Sequence, residues 1–282
     1  MRFWQFLAFR SFFILFYEKN RSFYSVNLES AHIEIKALQF GYSNHRLLDK
    51  PLHFTAKQGE FICVAGKNGC GKSTLLKTIL TLHQPISGSV LLNKKDIYHL
   101  KNEERAFYIA YADADRQIFG NFTVKDYLLF GRYPYLSVEL KPTEQDIKQI
   151  EQLVEYFNIA HLLQKDIQTL SSGEYRMLQI VTAFVQDTQV VILDEPTANL
   201  DLDKSVNVFD KLSDLAKRQN KLIIIATHQI NLAFKYASKI LLFHQRNYYF
   251  DSPSKLAKAP VMQAFFDNDS LHWNAEKMIF EW

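Results

Sequence analysis

Only nine glycines serve 282 residues, yet three fall within six positions, at Gly66, Gly69 and Gly71. The stretch Gly66-Lys67-Asn68-Gly69-Cys70-Gly71-Lys72-Ser73-Thr74 fits the pattern G-x-x-x-x-G-K-[ST]. Backbone N–H groups can wrap closely around phosphate oxygens only where side chains leave room, which is the use of glycine in such a loop. A helix opening at the end of the loop adds the positive end of its dipole. Lys72 is then the ammonium for the β- and γ-phosphates, and the Ser73 hydroxyl takes a Mg2+ position. The bland competitor is a glycine-rich turn that binds nothing. Against it stand the apolar run Phe61–Ala65 before the loop and the helical pattern Thr74–Leu82 after it, the context the motif demands.

Two further strand ends carry chemistry. Val190-Val191-Ile192-Leu193 runs into Asp194 and Glu195. An aspartate at the end of a buried strand is placed to hold Mg2+ beside the phosphates, as a Walker-B residue does. Glu195, one residue on, points differently and is a candidate to orient or deprotonate the attacking water. The run Ile223–Thr227 closes on His228. A lone histidine there is more often structural. Ligands of open α/β sheets sit at the carboxyl ends of the strands, however, and the two preceding strands already end in phosphate chemistry.

These residues need strands that alternate with helices. Ile33, Ile35, Leu38 and Phe40 mark a first strand and Val90–Leu92 another, while residues 124–163 read as helices broken at Gly131–Pro134 and Lys141-Pro142. Thr143 followed by Asp146 is an N-cap with an acid at the third position. Residues 174–186 give one more helix. The continuous apolar runs at 190–193 and 222–226 belong to parallel strands covered on both faces. The expected class is therefore α/β, a mostly parallel P-loop-type sheet with flanking helices, an N-terminal antiparallel β part and a helical insertion.

Composition is that of an ordinary globular chain: 48% apolar, 22% charged, mean hydropathy −0.16. A net charge of +3 gives no field to attract nucleic acid. Cys63 and Cys70 make neither a disulfide framework nor a zinc site and fit a reducing setting. The opening MRFWQFLAFRSFFILFY is aromatic, but Gln5, Arg10 and Ser11 interrupt it, so it matches neither a membrane helix nor a signal peptide. Three readings stay open for it: an upstream extension that nothing later requires, a packed aromatic helix, or an interfacial anchor. The first is the working expectation.

Over roughly residues 33–265 these motifs resemble, in order, the nucleotide-binding subunit of an ATP-binding cassette (ABC) transporter. Leu170-Ser171-Ser172-Gly173-Glu174 is similar to the family signature LSGGQ, with Ser for the first Gly and Glu for the last Gln. The resemblance implies that Ser171, Ser172, Gly173 and Glu174 clamp the γ-phosphate bound to a second copy, again a helix end aimed at an anion. It implies a D-loop at Ala198-Asn199-Leu200-Asp201 that communicates across that dimer. It also implies an adenine-stacking role for Tyr42 and a γ-phosphate contact for His228.

One motif departs. The family's Mg2+-sensing glutamine falls near Ala114, within Tyr111-Ala112-Asp113-Ala114-Asp115-Arg116-Gln117, so Gln117 serves only after a shift of the loop, with Asp113 or Asp115 as substitute acceptors. Phe130-Gly131-Arg132-Tyr133-Pro134-Tyr135-Leu136-Ser137 resembles the importers of iron–siderophore complexes, haem and cobalamin.

The implied protein is an ATPase using ATP and Mg2+. It works as a dimer at the cytoplasmic face of the membrane, with integral permease subunits and an extracytoplasmic substrate-binding protein, and without nucleic acid. An exporter ATPase and a non-transport relative are the alternatives. Lys72 and Ser171 are 99 residues apart, which leaves no room for the coiled coils of chromosome-maintenance relatives, and ribosome-associated relatives carry two cassettes. The expected organisation is an extension at 1–30, an ATPase domain at 31–265 with a helical subdomain at about 120–172, and a tail at 266–282.

Overall fold

The computed structural model describes residues 32–42, 45–113, 120–135, 141–266 and 270–281. The expectations for the N-terminal segment, for Ala114, Asp115 and Gln117, and for Leu136 and Ser137 lie outside the described residues.

The described residues open with β1 (His32–Gln39), β2 (Gly41–Tyr42), β3 (His45–Arg46), β4 (Leu52–Lys57) and β5 (Phe61–Gly66). After the glycine loop come α1 (Lys72–Ile79), β6 (Ser87–Leu92), β7 (Lys95–Asp96), the short α2 (Asn102–Ala106) and β8 (Ile109–Ala112). Three helices follow, α3 (Val124–Phe130), α4 (Glu144–Tyr156) and α5 (Ser172–Val185). The chain continues with β9 (Val190–Asp194), α6 (Leu202–Arg218), β10 (Leu222–Thr227), α7 (Ile230–Tyr236), β11 (Lys239–His244), β12 (Asn247–Asp251) and α8 (Pro253–Leu256), then β13 (His272–Asn274) and β14 (Ile279–Glu281).

The continuous apolar runs form the centre of a six-stranded sheet ordered β12-β11-β5-β10-β9-β8, parallel except for the antiparallel edge strand β12. Every residue of β5, β9 and β10 is buried. Alternate side chains explain why such strands show no polar face. Phe61, Cys63, Val191, Leu193, Ile223 and Ile225 face one core with α5, α6 and α7. Ile62, Val64, Val190, Ile192, Leu222 and Ile224 face the other, with α1 and a four-stranded antiparallel sheet ordered β4-β1-β6-β7.

Along β1 and the residue after it the buried positions change parity, from Ile33 and Ile35 to Leu38 and Phe40, because the strand bulges. Its register shifts between Ile35 and Leu38, and Ala37 takes a left-handed φ of 48°.

Helix α1 starts two residues earlier than the apolar pattern indicates, with Gly71 (φ 103°) as its N-cap. It also stops three residues sooner. Thr81 turns left-handed at φ 60°, leaving Leu82 in solvent. In the helical part both Thr123 with Asp126 and Thr143 with Asp146 form reciprocal capping boxes, aspartate standing in for the usual glutamate. Arg132 is buried between these helices. Its Nε donates to Asp146 Oδ1 at 2.6 Å, its Nη1 donates to the carbonyl of Val185 at 3.0 Å, and its guanidinium lies 4.2 Å from the Tyr135 ring centre. Beyond residue 265 the chain forms the β13–β14 hairpin. Phe280 is buried there, and Asn231 bonds the Phe280 backbone through both ends of its amide.

Candidate functional site

The parallel register aligns three strand ends. Ala65 pairs with Thr227, and Ala226 with Asp194, so the glycine loop after β5, the carboxylates that end and follow β9 and His228 after β10 leave the sheet side by side. One cavity of about 470 Å3 lies there, where Tyr42, Asn68, Gly69, Gly71, Lys72, Ser73 and Thr74 meet Glu195 and His228. Leu47 and Ala198 complete its wall, and no periodic pattern marks the first of them.

Glycine is required at two points of the loop. A Cβ on Gly66 would stand 2.6 Å from Cys70 Sγ and 3.0 Å from the Phe243 carbonyl oxygen. Gly71 has a left-handed φ, and a Cβ there would stand 2.8 Å from Leu47 Cδ1. The thiol of Cys70 is pushed up, chiefly by burial. It is therefore a packing group of the loop.

Lys72 is only 5% exposed, and oxygens hold its charge. Nζ donates to the carbonyls of Gly66 at 2.9 Å and Lys67 at 3.2 Å, and lies 3.4 Å from Glu195 Oε1. The next side chain, Ser73, donates through Oγ to Asp194 Oδ1 at 3.0 Å. Burial pushes the Asp194 carboxyl up, the Ser73 bond opposes this, and the negative charges of Asp113 and Glu195 add to the rise. Asp113 follows directly on the pair Ala112 with Leu193 in the β8–β9 register. Its carbonyl accepts Gln179 Nε2 at 3.0 Å and Arg176 Nη1 at 3.5 Å, tying the end of β8 to α5.

Glu195 carries the most unusual backbone of the site, a left-handed φ of 47° in a side-chain-bearing residue. Such a conformation costs on the order of 1–3 kcal/mol and clusters at functional positions. It turns Glu195 out of the strand direction while its N–H still donates to Ala226 at 3.1 Å. Glu195 Oε2 then accepts His228 Nδ1 at 2.8 Å. Tyr42 is 59% exposed beside the loop, its hydroxyl 3.1 Å from Thr74 Oγ1 and its ring centre 5.1 Å from that of His83. His83 comes from the segment after α1, and no local pattern marks it.

The signature residues are elsewhere. Ser171, Gly173 and Glu174 line a second cavity of about 240 Å3, which shares no residue with the first. Ser171 is the N-cap of α5, and Glu174 closes a capping box with it. Asp201 likewise caps α6, its Oδ1 accepting the Lys204 N–H at 2.8 Å. Leu200 reaches back over Gly173, so the segments around 171–174 and 198–201 of one chain touch.

The family model described as ABC transporter matches residues 50–198. The chain belongs to the ABC transporter family. Among its relatives, the achromobactin transport ATP-binding protein CbrD of Dickeya dadantii is 32% identical over 238 residues, covering 84% of this chain and 88% of that one. The molybdate import ATP-binding protein MolC of Haemophilus influenzae is 30% identical over 235 residues, covering 83% and 87%. A chain from an inward-facing ABC transporter assigned to the metal-chelate type superposes with TM-score 0.72 at 29% identity, covering 84% of this chain and 89% of that one. The chain is accordingly an ABC ATP-binding subunit, an ATPase coupled to transport that works with membrane permease components. No helix among the described residues is long and apolar enough to cross a membrane.

Proposed function

We propose that the chain hydrolyses ATP to drive uptake of a metal chelate, an iron–siderophore, haem or cobalamin-type complex, through a separate permease. The observation that carries the ATPase reading is the meeting of Lys72, Glu195 and His228 in one cavity at three adjacent strand ends.

In this reading Tyr42 stacks on adenine, and the backbone of Gly66–Thr74 wraps the phosphates, including the N–H groups of Lys67, Asn68, Gly69 and Cys70. Lys72 leaves the loop carbonyls to meet the β- and γ-phosphates. Glu195 orients the attacking water and takes its proton, held in place by His228, whose imidazole also reaches the γ-phosphate. Ser73 and Asp194 offer two hard oxygens 3.0 Å apart, a donor pair suited to Mg2+, which there supplies neutralisation of charge on the phosphate oxygens.

Ser171, Ser172, Gly173 and Glu174, absent from their own chain's ATP cavity, serve the ATP of a second copy in a sandwich dimer, with Asp201 at the junction. The domain at 31–265 carries all of this, with residues 1–30 dispensable to it. Its place is the cytoplasmic face of the membrane, with an extracytoplasmic binding protein delivering cargo.

Cargo class rests on the buried Arg132 segment, on the relation to CbrD and on the metal-chelate structure. MolC, at similar identity, makes an oxyanion the competing cargo. The test is transport by the complex isolated from native membranes and sealed into vesicles, with ATP on the side of this chain. ATP-dependent entry of a ferric siderophore, haem or cobalamin supports the proposal. Movement of molybdate alone, or of any cargo in the opposite direction, overturns its cargo or its direction.

A further inference from the structure

Glu174 occupies the first turn of α5, where the unpaired N–H groups of a helix gather positive charge. A carboxylate there stabilises the helix and, by the same charge, repels any second anion that approaches the same end. Its two oxygens are both engaged. Oε2 accepts the Ser171 N–H at 2.8 Å, and Oε1 accepts Lys165 Nζ at 2.8 Å. The Lys165 bond above all, then the two from Ser171, hold the carboxyl down at about 2, so Glu174 carries a full negative charge at physiological pH.

Lys165 is itself fixed by the backbone. Its carbonyl accepts the Val124 N–H at 3.0 Å, and its N–H donates to Leu162 at 2.8 Å, so the residue is tied to the start of α3 and to the turn after α4. The start of α5 otherwise offers only Ser171, Ser172 and Gly173, which are uncharged. Lys204, which lines the same cavity, is matched by Asp201 at 3.0 Å. With Lys165 present Glu174 is matched as well; without it, one unmatched negative charge faces whatever docks there. Both side chains are partly open to solvent, 44% for Lys165 and 27% for Glu174. Water screens an ion pair of this kind, so it adds little to the stability of the chain by itself. Its effect grows when a second molecule covers it and displaces that water.

We propose that Lys165 is a positioning residue of the ATP sandwich: it neutralises Glu174 so that the start of α5 accepts the phosphates bound to a second copy of the chain. This rests on the sandwich-dimer reading above.

The experiment is sedimentation of the full chain carrying Glu195→Gln, with Mg2+ and ATP, at low and high salt. Lys165→Met weakens the ATP-dependent dimer about tenfold at low salt, the scale of one unscreened charge, and the deficit narrows as salt rises. ATP affinity of the monomer stays as in the parent. Lys165→Arg keeps the dimer within about twofold, because it keeps the charge. Adding Glu174→Gln to Lys165→Met restores the dimer, since the charge to be neutralised is gone. A Lys165→Met chain that dimerises like its parent overturns the proposal, as does a double variant no better than the single one or a loss of ATP affinity in the monomer. A parent that binds ATP and never dimerises overturns the sandwich reading itself, and this proposal with it.

Discussion

In the proposed mechanism nucleotide affinity turns on Lys72. Its ammonium lies within bonding distance of two loop carbonyls and 3.4 Å from Glu195, so it can exchange those oxygens for phosphate oxygens without crossing solvent. Lys72→Ala removes a charge-assisted hydrogen bond. ATP affinity should fall about ten- to a hundredfold, read by titration of the folded variant. Lys72→Arg should bind poorly too, since a planar fork does not fit a pocket built for a point charge. The loop is legible in the sequence because its partners are local: the glycines, lysine and serine stand within nine positions. The neighbours that hold it are not local. His83 lies 41 residues from Tyr42, and Lys165 pairs with Glu174 from outside the signature motif, so neither has a pattern that a sequence shows.

At the scale of elements, Arg132 joins three helices. It is held by Asp146 of α4 and Val185 of α5, and it stands two residues beyond the end of α3. Both members of the pair are nearly closed to solvent, at 9% and 6% of side-chain surface. Arg132→Met leaves the Asp146 charge buried without its partner, and unfolding should come earlier by about 3–5 kcal/mol in a denaturant titration.

The acid limb follows from the same pair. Burial pushes the Asp146 carboxyl up, but bonds from Thr143 and Arg132 outweigh it and hold the group below its ordinary value. A lowered carboxyl contributes stability above the unfolded value of about 4 and loses it as pH falls through the folded value. The wild type should therefore tolerate acid that unfolds Arg132→Met, whose acid midpoint moves upward. Sequence showed the cap at Thr143 and the break at Gly131–Pro134, since capping and breaking are local. The bond from Arg132 to Asp146 crosses 14 residues, 136–140 of them outside the described structure, and has no such mark.

For the molecule as a whole, strand order does the assembling. Strands β5, β10 and β9 are neighbours although the first two are separated by more than 150 residues, and that adjacency turns three separate motifs into one cavity. Apolar runs told which strands are buried on both faces. Their order is a tertiary property that no run of residues carries, and only the structure supplies it. Among the described residues none that lines the cavity lies before Tyr42, and β1 starts at His32. A chain beginning at Leu28 should keep its ATP affinity and its melting temperature. A fall of several degrees, the shift produced by about 1–2 kcal/mol, would place the aromatic segment on the domain. Liposome binding by the full chain alone, weakened by salt, would place it on lipid.

The central claim is that this cavity hydrolyses ATP with Glu195 as the base. The direct measurement is phosphate release from saturating Mg-ATP by the full chain and by Glu195→Gln, with ATP affinity measured on both. The expected result is turnover lower by about 10²–10⁴ in the variant with affinity retained. Equal turnover by the two proteins contradicts the account.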